Sequence, residues 1–419
     1  MGKNEMGFEY LITASIDFSV PPVFGLLIWK DQSSAWHQIK IQEYTDSAIG
    51  NGAFAHTGLL GVVIPDTVTN IGDQAFKFSS LSSVVFGSSV ETIGAFAFSN
   101  NNLSSVVIPG NVRVIDDYSF SYNPLVAVVF AEGLETIGGA AFEGSMIASI
   151  VIPDTVTSIG DSAFRGIGIV NLILGESVAT IGNDAFSNNM IASVSIPDSV
   201  VSIGSFAFDG NGITILQLGI GLNDIGDYAF ANNMIIDLII PGSVEMVGMG
   251  AFQSNNLMNL TLNEGLIGIG NAAFENNGIG SVVIPNSVIY IADFSFASNQ
   301  IQNLLIGTGV EVIGVGAFMY NQIMFLNIPG NVLFIAQSAF ESNQIMDLTL
   351  NEGLEIIGFA AFNYNNIGLV VIPESVFIIE PFAFSNNTIF DVIILGDMYR
   401  FNDNWTVIGF PMYLMPLPV

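Results

Sequence analysis

The sequence predicts a β-rich solenoid: a right-handed array of sixteen 22-residue coils, built on one parallel sheet plus short turns and capped at both ends. Three observations predict it. A Phe recurs every 22 residues from Phe54 to Phe384, sixteen times, without an insertion. A strict period of that size marks stacked supersecondary units rather than globular domains. Each coil also carries a short apolar strand pattern, which Pro closes in every second coil, from Pro65 to Pro373 in steps of 44 residues. The unit of repetition is therefore a pair of coils.

Residues 1–42 do not fit the period and are expected to form an N-terminal cap. Phe8 to Phe18 and His37 to Tyr44 read as strands, separated by Pro21-Pro22 and a short apolar run. Trp29 and Trp36 lie here and Trp405 lies beyond the array, so Trp is confined to the flanks. An exposed solenoid end bares its core and its strand edge, and capping segments cover both.

The array occupies residues 43–394. In the coil from Leu103 to Pro124, Leu103, Val106 and Ile108 form the strand, with Val106 and Ile108 on one face because side chains alternate. Pro109 ends it by removing a ladder donor. Val112 and Ile115 turn back towards the core, and Ser119-Phe120 closes the coil. The residue before each Phe is Ala in fourteen coils and Ser in two, small enough for rings to stack from coil to coil. The inward side chains of a coil supply about 10–20 kcal/mol of gross burial. Backbone ordering opposes this with about 20–40 kcal/mol per coil. No coil folds alone, and stability comes from its neighbours.

Asn occupies one column in twelve coils, among them Asn101, Asn123, Asn189, Asn255 and Asn321. An amide both donates and accepts, so this column is expected to satisfy backbone groups at a buried turn. Between the prolines the same position holds Gly87, Ala131, Gly175, Gly219, Asn263, Gly307 and Asn351, so two turn chemistries alternate. The pattern breaks at Leu395-Gly396, and residues 395–419 are expected to form the C-terminal cap.

Seven Lys and Arg against 37 Asp and Glu give a formal charge of −30. Nucleic acid is a poor partner for such a chain, and so is an anionic membrane surface. Val20 to Trp29 is apolar but short and is preceded by Glu5, Glu9 and Asp17, so it reads neither as an export signal nor as a membrane span. With no Cys, thiol nucleophiles and zinc thiolate sites are excluded. The two His residues, His37 and His56, stand apart from any nucleophile pattern. No enzyme activity and no cofactor are expected. Glu132, Glu176, Glu264 and Glu352 share one turn column, which reads as a solvated edge, with loose calcium binding as the alternative.

The string A-F-x-x-N-x-[IL]-x-x-[VL]-x-[IL]-P-x-x-V-x-x-I-G, as in Ala185 to Gly204, resembles the BspA-like leucine-rich repeat. Ala97 to Asp116 matches it except that Asp116 replaces the closing Gly. The resemblance implies surface-exposed or extracellular proteins that bind proteins, matrix or partner cells, and it implies no catalytic site. The expected function is a non-enzymatic interaction or adhesion scaffold that engages a protein or glycan through its strand face. The alternative is a structural protein that self-associates through its ends or that face.

The strand face changes character along the chain. Early coils carry Ser82, Ser83, Ser104 and Ser105 at the outward positions flanking the strand. Later coils carry Ile236, Met258, Met324, Phe325, Met346, Leu369 and Phe390 there. Large exposed apolar groups mark contact sites, and these seven residues are the candidate binding surface.

Overall fold

The computed structural model describes residues 47–397, 401 and 404–415, together with the backbone of four N-terminal strands. The chain is a β-solenoid of sixteen turns spaced 22 residues apart, with almost no helix. It divides into two compact units, Met1–Val200 and Val201–Val419.

In the first unit, Leu26–Lys30 and Trp36–Ile41 form an antiparallel pair, and the latter joins Gly61–Val63 in parallel through Ile39 and Lys40. The strand expected from His37 to Tyr44 is thus present over part of its length. Of Phe8 to Phe18, Glu9–Tyr10 is a strand and the rest lies outside the described residues. The coils that follow hold two strands each, one more than the sequence pattern suggests. Ser105–Ile108 is the main strand of its coil, with Val106 and Ile108 buried and Ser105 and Val107 exposed. The second, Val114–Ile115, is two residues long. These short strands pair with those of both neighbouring coils, Ile93 to Ile115 to Ile137, in unbroken succession.

The main strands behave differently, because they pair in twos. Ser105–Ile108 pairs with Ala127–Phe130, and Ser149–Val151 with Asn171–Ile173. Each pair joins a proline coil to the coil after it. Ala131 shows why: its N–H donates to Ile108 O at 3.0 Å, towards the preceding coil. One coil later that position is Pro153, which has no N–H to offer Phe130. The 44-residue period is therefore also the period of the main-strand ladder.

The second unit repeats this logic. Asp237–Ile240 pairs with Asn259–Leu262, Ser281–Val283 with Asn303–Leu305, Phe325–Ile328 with Asp347–Leu350, and Leu369–Ile372 with Asp391–Ile394. Each partner follows a proline coil. At the end of the unit, a short helix Trp405–Ile408 and a 3-10 turn Met412–Leu414 follow the last coil. This segment occupies the place of a further coil: Phe410 stacks on Phe384 at 5.3 Å, and Phe384 N–H donates to Ile408 O at 2.9 Å.

The Phe column is the core of both units. Phe230 is fully buried, its ring 5.1 Å from Phe208 and 5.5 Å from Phe252, each nearly parallel to it. Beside it the Asn column ties coils together. Asn255 Nδ2 donates to Phe230 O at 2.9 Å and Phe252 O at 3.2 Å, while its Oδ1 accepts Ile235 N–H at 3.1 Å. With Gln253 O, which accepts at 3.4 Å, one amide serves four backbone groups in two coils.

A third backbone ladder runs along the Phe turns. In the first unit, Phe96, Phe98 and Asn100 donate to Asp117 O, Ser119 O and Ser121 O of the next coil. Alternate donors point the same way because Phe96 and Asn100 are left-handed, with φ of 56° and 57°. A left-handed non-Gly residue costs roughly 1–2 kcal/mol. The inter-coil bonds and aromatic stacks such as the half-buried Phe96 on the exposed Tyr118, at 4.7 Å, offset that cost.

Candidate functional site

The candidate site is the main-strand face of the second unit. Inward strand residues such as Leu238, Ile240, Leu326 and Ile328 hold it against the core. Outward residues are left to solvent because alternation sends every second side chain away. The seven sequence-predicted residues lie on this face. Ile236, Met258, Phe325, Met346, Leu369 and Phe390 are exposed, Phe325 at 64% and Phe390 at 66%, and Met324 is half-buried.

The face does not bring all seven together. Ile236 and Met258 occupy adjoining coils. Met324, Phe325 and Met346 form a second group, with Phe325 opposite Asp347 in the ladder. Leu369 and Phe390 form a third, in which the Phe390 ring covers Gly368 so closely that a Cβ there would lie 2.4 Å from Cε1. Between the first and second groups the column holds Gly280 and Gln302.

That interruption is a notch. A depression of 540 Å³ is lined by Met258, Asn259, Thr261, Gly280, Ser281 and Val283 among others. A second, of 240 Å³, lies over Gln302, Asn303, Leu305 and Phe325. A Cβ on Gly280 would meet nothing within 4 Å, so the missing side chain leaves real space. Sequence reading missed Gly280, Asn259, Asn303 and the exposed Val283 and Leu305, because it searched the columns for large residues. Gly280 and Gln302, which interrupt a column of Ile236, Met258, Met324 and Met346, were the available clue.

Acidic side chains have two settings in this unit. On the turn edge, Glu264 accepts Asn286 N–H and Ser287 N–H, both at 3.0 Å. Glu352 does the same for Glu374 and Ser375. These backbone donors, those of Asn286 and Glu374 first, hold both carboxyls below their ordinary value although burial acts the other way. They are coil-to-coil ties, a more specific role than a solvated edge. On the strand face Asp237, Asp347 and Asp391 are exposed. Among the described residues no three His, Asp or Glu groups assemble to hold a metal ion. His56, the one His whose side chain is described, is exposed and stacks on Phe78 at 5.1 Å.

The model of the BspA type leucine-rich repeat region matches residues 47–169, 135–256, 223–346 and 267–391, which together span most of the array. The chain belongs to the BspA-type leucine-rich repeat family. A leucine-rich repeat protein from Bacteroides ovatus has a similar fold, with a TM-score of 0.56 at 22% identity over 86% of this chain and 95% of that one. The pneumococcal vaccine antigen PcpA aligns at 18% identity over 89% of this chain and 97% of its own, with a TM-score of 0.45. No curated protein matches the sequence. Leucine-rich repeat solenoids are generally non-enzymatic, and many act as protein-interaction or surface scaffolds. Among the described residues no helix of this BspA-type chain is long and apolar enough to cross a membrane.

Proposed function

We propose that this chain is a non-enzymatic interaction scaffold that binds a protein or glycan partner through the strand face of its second unit. Ile236, Met258, Met324, Phe325, Met346, Leu369 and Phe390 supply the contact. The observation that carries the reading is the exposure of large, adaptable side chains on a surface that folding leaves open, Met258 at 62% and Phe325 at 64%. Burial in the core does not account for them, and two early coils carry Ser82, Ser83, Ser104 and Ser105 at the corresponding positions. In this reading residues 1–42 and 395–419 are caps, 43–394 is the solenoid, and the protein works at the cell surface or outside the cell, a location that the family resemblance supports.

The test is the triple variant Met324→Ser/Phe325→Ser/Met346→Ser. Its circular dichroism and unfolding midpoint should match wild type, while binding to a panel of extracellular proteins and glycans is lost. Sedimentation velocity on both proteins tests the self-association alternative. Unchanged partner binding in a folded variant refutes the assignment.

A further inference from the structure

The notch at Gly280 has an uncharged lining that includes Met258 and Val283, and the depression beside it adds Leu305 and Phe325. Its lining offers the Asn303 amide and the Ser281 hydroxyl, while the Asn259 amide donates to Asp237 Oδ1 at 2.6 Å. The charges nearest to it along the flanking column are both acidic. Asp237 lies two coils before Ser281, and Asp347 two coils after Asn303. No Lys or Arg occurs in the sequence between Arg165 and Arg400, so neither is neutralised from this face. Five coils separate the two carboxylates, roughly 24 Å at the spacing of parallel strands.

We infer that this face takes a cationic segment of a protein partner, with an apolar side chain seated at Gly280 and basic side chains reaching Asp237 and Asp347. The inference rests on the functional reading above and names the class of partner. Three features select it. Four exposed apolar side chains around the two depressions, Met258, Val283, Leu305 and Phe325, suit an apolar anchor residue of a protein better than a sugar, which needs hydrogen bonds along its length. Two exposed carboxylates that no cation of this face neutralises flank a neutral centre, and they favour a partner with basic groups on both sides of its anchor, although Asp237 also accepts the Asn259 amide. An anionic lipid surface would be repelled by the same two groups. An extended segment of about eight residues spans the interval.

Three synthetic peptides of eleven residues test this. They share a Leu-Phe-Leu centre and carry Lys, Ser or Glu at both ends. Binding to the full chain is read by fluorescence anisotropy at physiological salt. The Lys-ended peptide should bind at least about tenfold more tightly than the Glu-ended one, with the Ser-ended one between them. Gly280→Leu fills the notch without a backbone clash, since a Cβ there meets open space. It should weaken the Lys-ended peptide by about tenfold or more while leaving the unfolding midpoint unchanged. Asp237→Asn/Asp347→Asn should erase most of the preference for Lys over Ser.

Absence of binding by all three peptides overturns the inference. So does Lys-ended binding that survives both Gly280→Leu and Asp237→Asn/Asp347→Asn, which marks diffuse attraction to an acidic chain. If Gly280→Leu blocks all three peptides equally, the face binds but the charge assignment is wrong. If the triple Ser variant keeps its partners from the panel, the functional reading itself fails.

Discussion

Replacing Phe230 with Ala should unfasten the second unit from its middle. The ring is completely buried and stacks on Phe208 and Phe252. Truncating a buried Phe costs about 3–5 kcal/mol through lost transfer energy and a residual cavity. Two aromatic pairs are lost as well, each about 0.5–1.5 kcal/mol beyond area burial, which places this site at the upper end. The cavity has little room to collapse, because the coils on both sides are held at fixed spacing by the Asn255 and Asn233 amides bound to Phe230 O and Phe208 O. At about 5 kcal/mol, and roughly 2–4 °C per kcal/mol for a unit of this length, the melting transition of the second unit should fall by about 10–20 °C. Thermal unfolding followed by circular dichroism measures this, with hydrogen exchange to show that protection is lost first around Phe230. The control is Phe325→Ala, the same chemical change on the exposed face, expected to shift stability by less than about 0.5 kcal/mol. An unchanged melting curve for Phe230→Ala, or equal effects of the two variants, would refute the assignment of the columns.

Asn255→Ala should cost about 1–3 kcal/mol in urea unfolding, because the buried Ile235 N–H loses its acceptor, while Phe230 O and Phe252 O keep the amides of Asn233 and Asn277. Pro153→Ala restores a ladder donor facing Phe130. The new bond contributes about 0.5–1.5 kcal/mol and the more flexible unfolded chain removes about 0.4–1 kcal/mol. Net stability should therefore hardly move, while the new amide at 153 should exchange slowly; fast exchange there would show that proline is not what divides the strands. Glu264 has its folded pKa depressed below its ordinary 4.5, so its tie to the next coil is intact above that value and is lost as pH falls through the lower folded value. Amide exchange at Asn286 and Ser287, corrected for intrinsic rates, should accelerate below pH 4.5 in the wild type. In Glu264→Gln that pH dependence should be absent, and its persistence would assign the effect elsewhere.

The inward side of this fold was legible because it is chemically monotonous. Phe98, Asn101, Leu103, Val106 and Ile108 recur at fixed offsets, and each offset fixes a direction relative to the core. Proline spacing was equally visible, but its consequence was not. That Pro153 divides one strand pair from the next requires knowing which neighbour Ala131 N–H faces. The second strand, Val114–Ile115, was hidden by its length, since two residues carry no detectable alternation. The left-handed Phe96 and Asn100 were hidden for another reason. Phe is a poor candidate for positive φ, and the inter-coil bonds that stabilise it there are not local. The outer face was partly legible. Met258 and Phe325 stood out as large residues where earlier coils have Ser, but the notch at Gly280 is made by an absent side chain and gains meaning from its neighbours.

Hydroxyl-radical footprinting of the full chain, free and saturated with the Lys-ended peptide, tests the division between a structural core and a binding face most directly. Met258, Phe325 and Met346 should oxidise readily in the free protein and become protected in the complex. Met146 and Met190, exposed to 59% and 60% in the first unit, should oxidise equally in both states. Protection spread over Met146 and Met190, or confined to Met412 and Tyr413 near the chain end, would contradict the account.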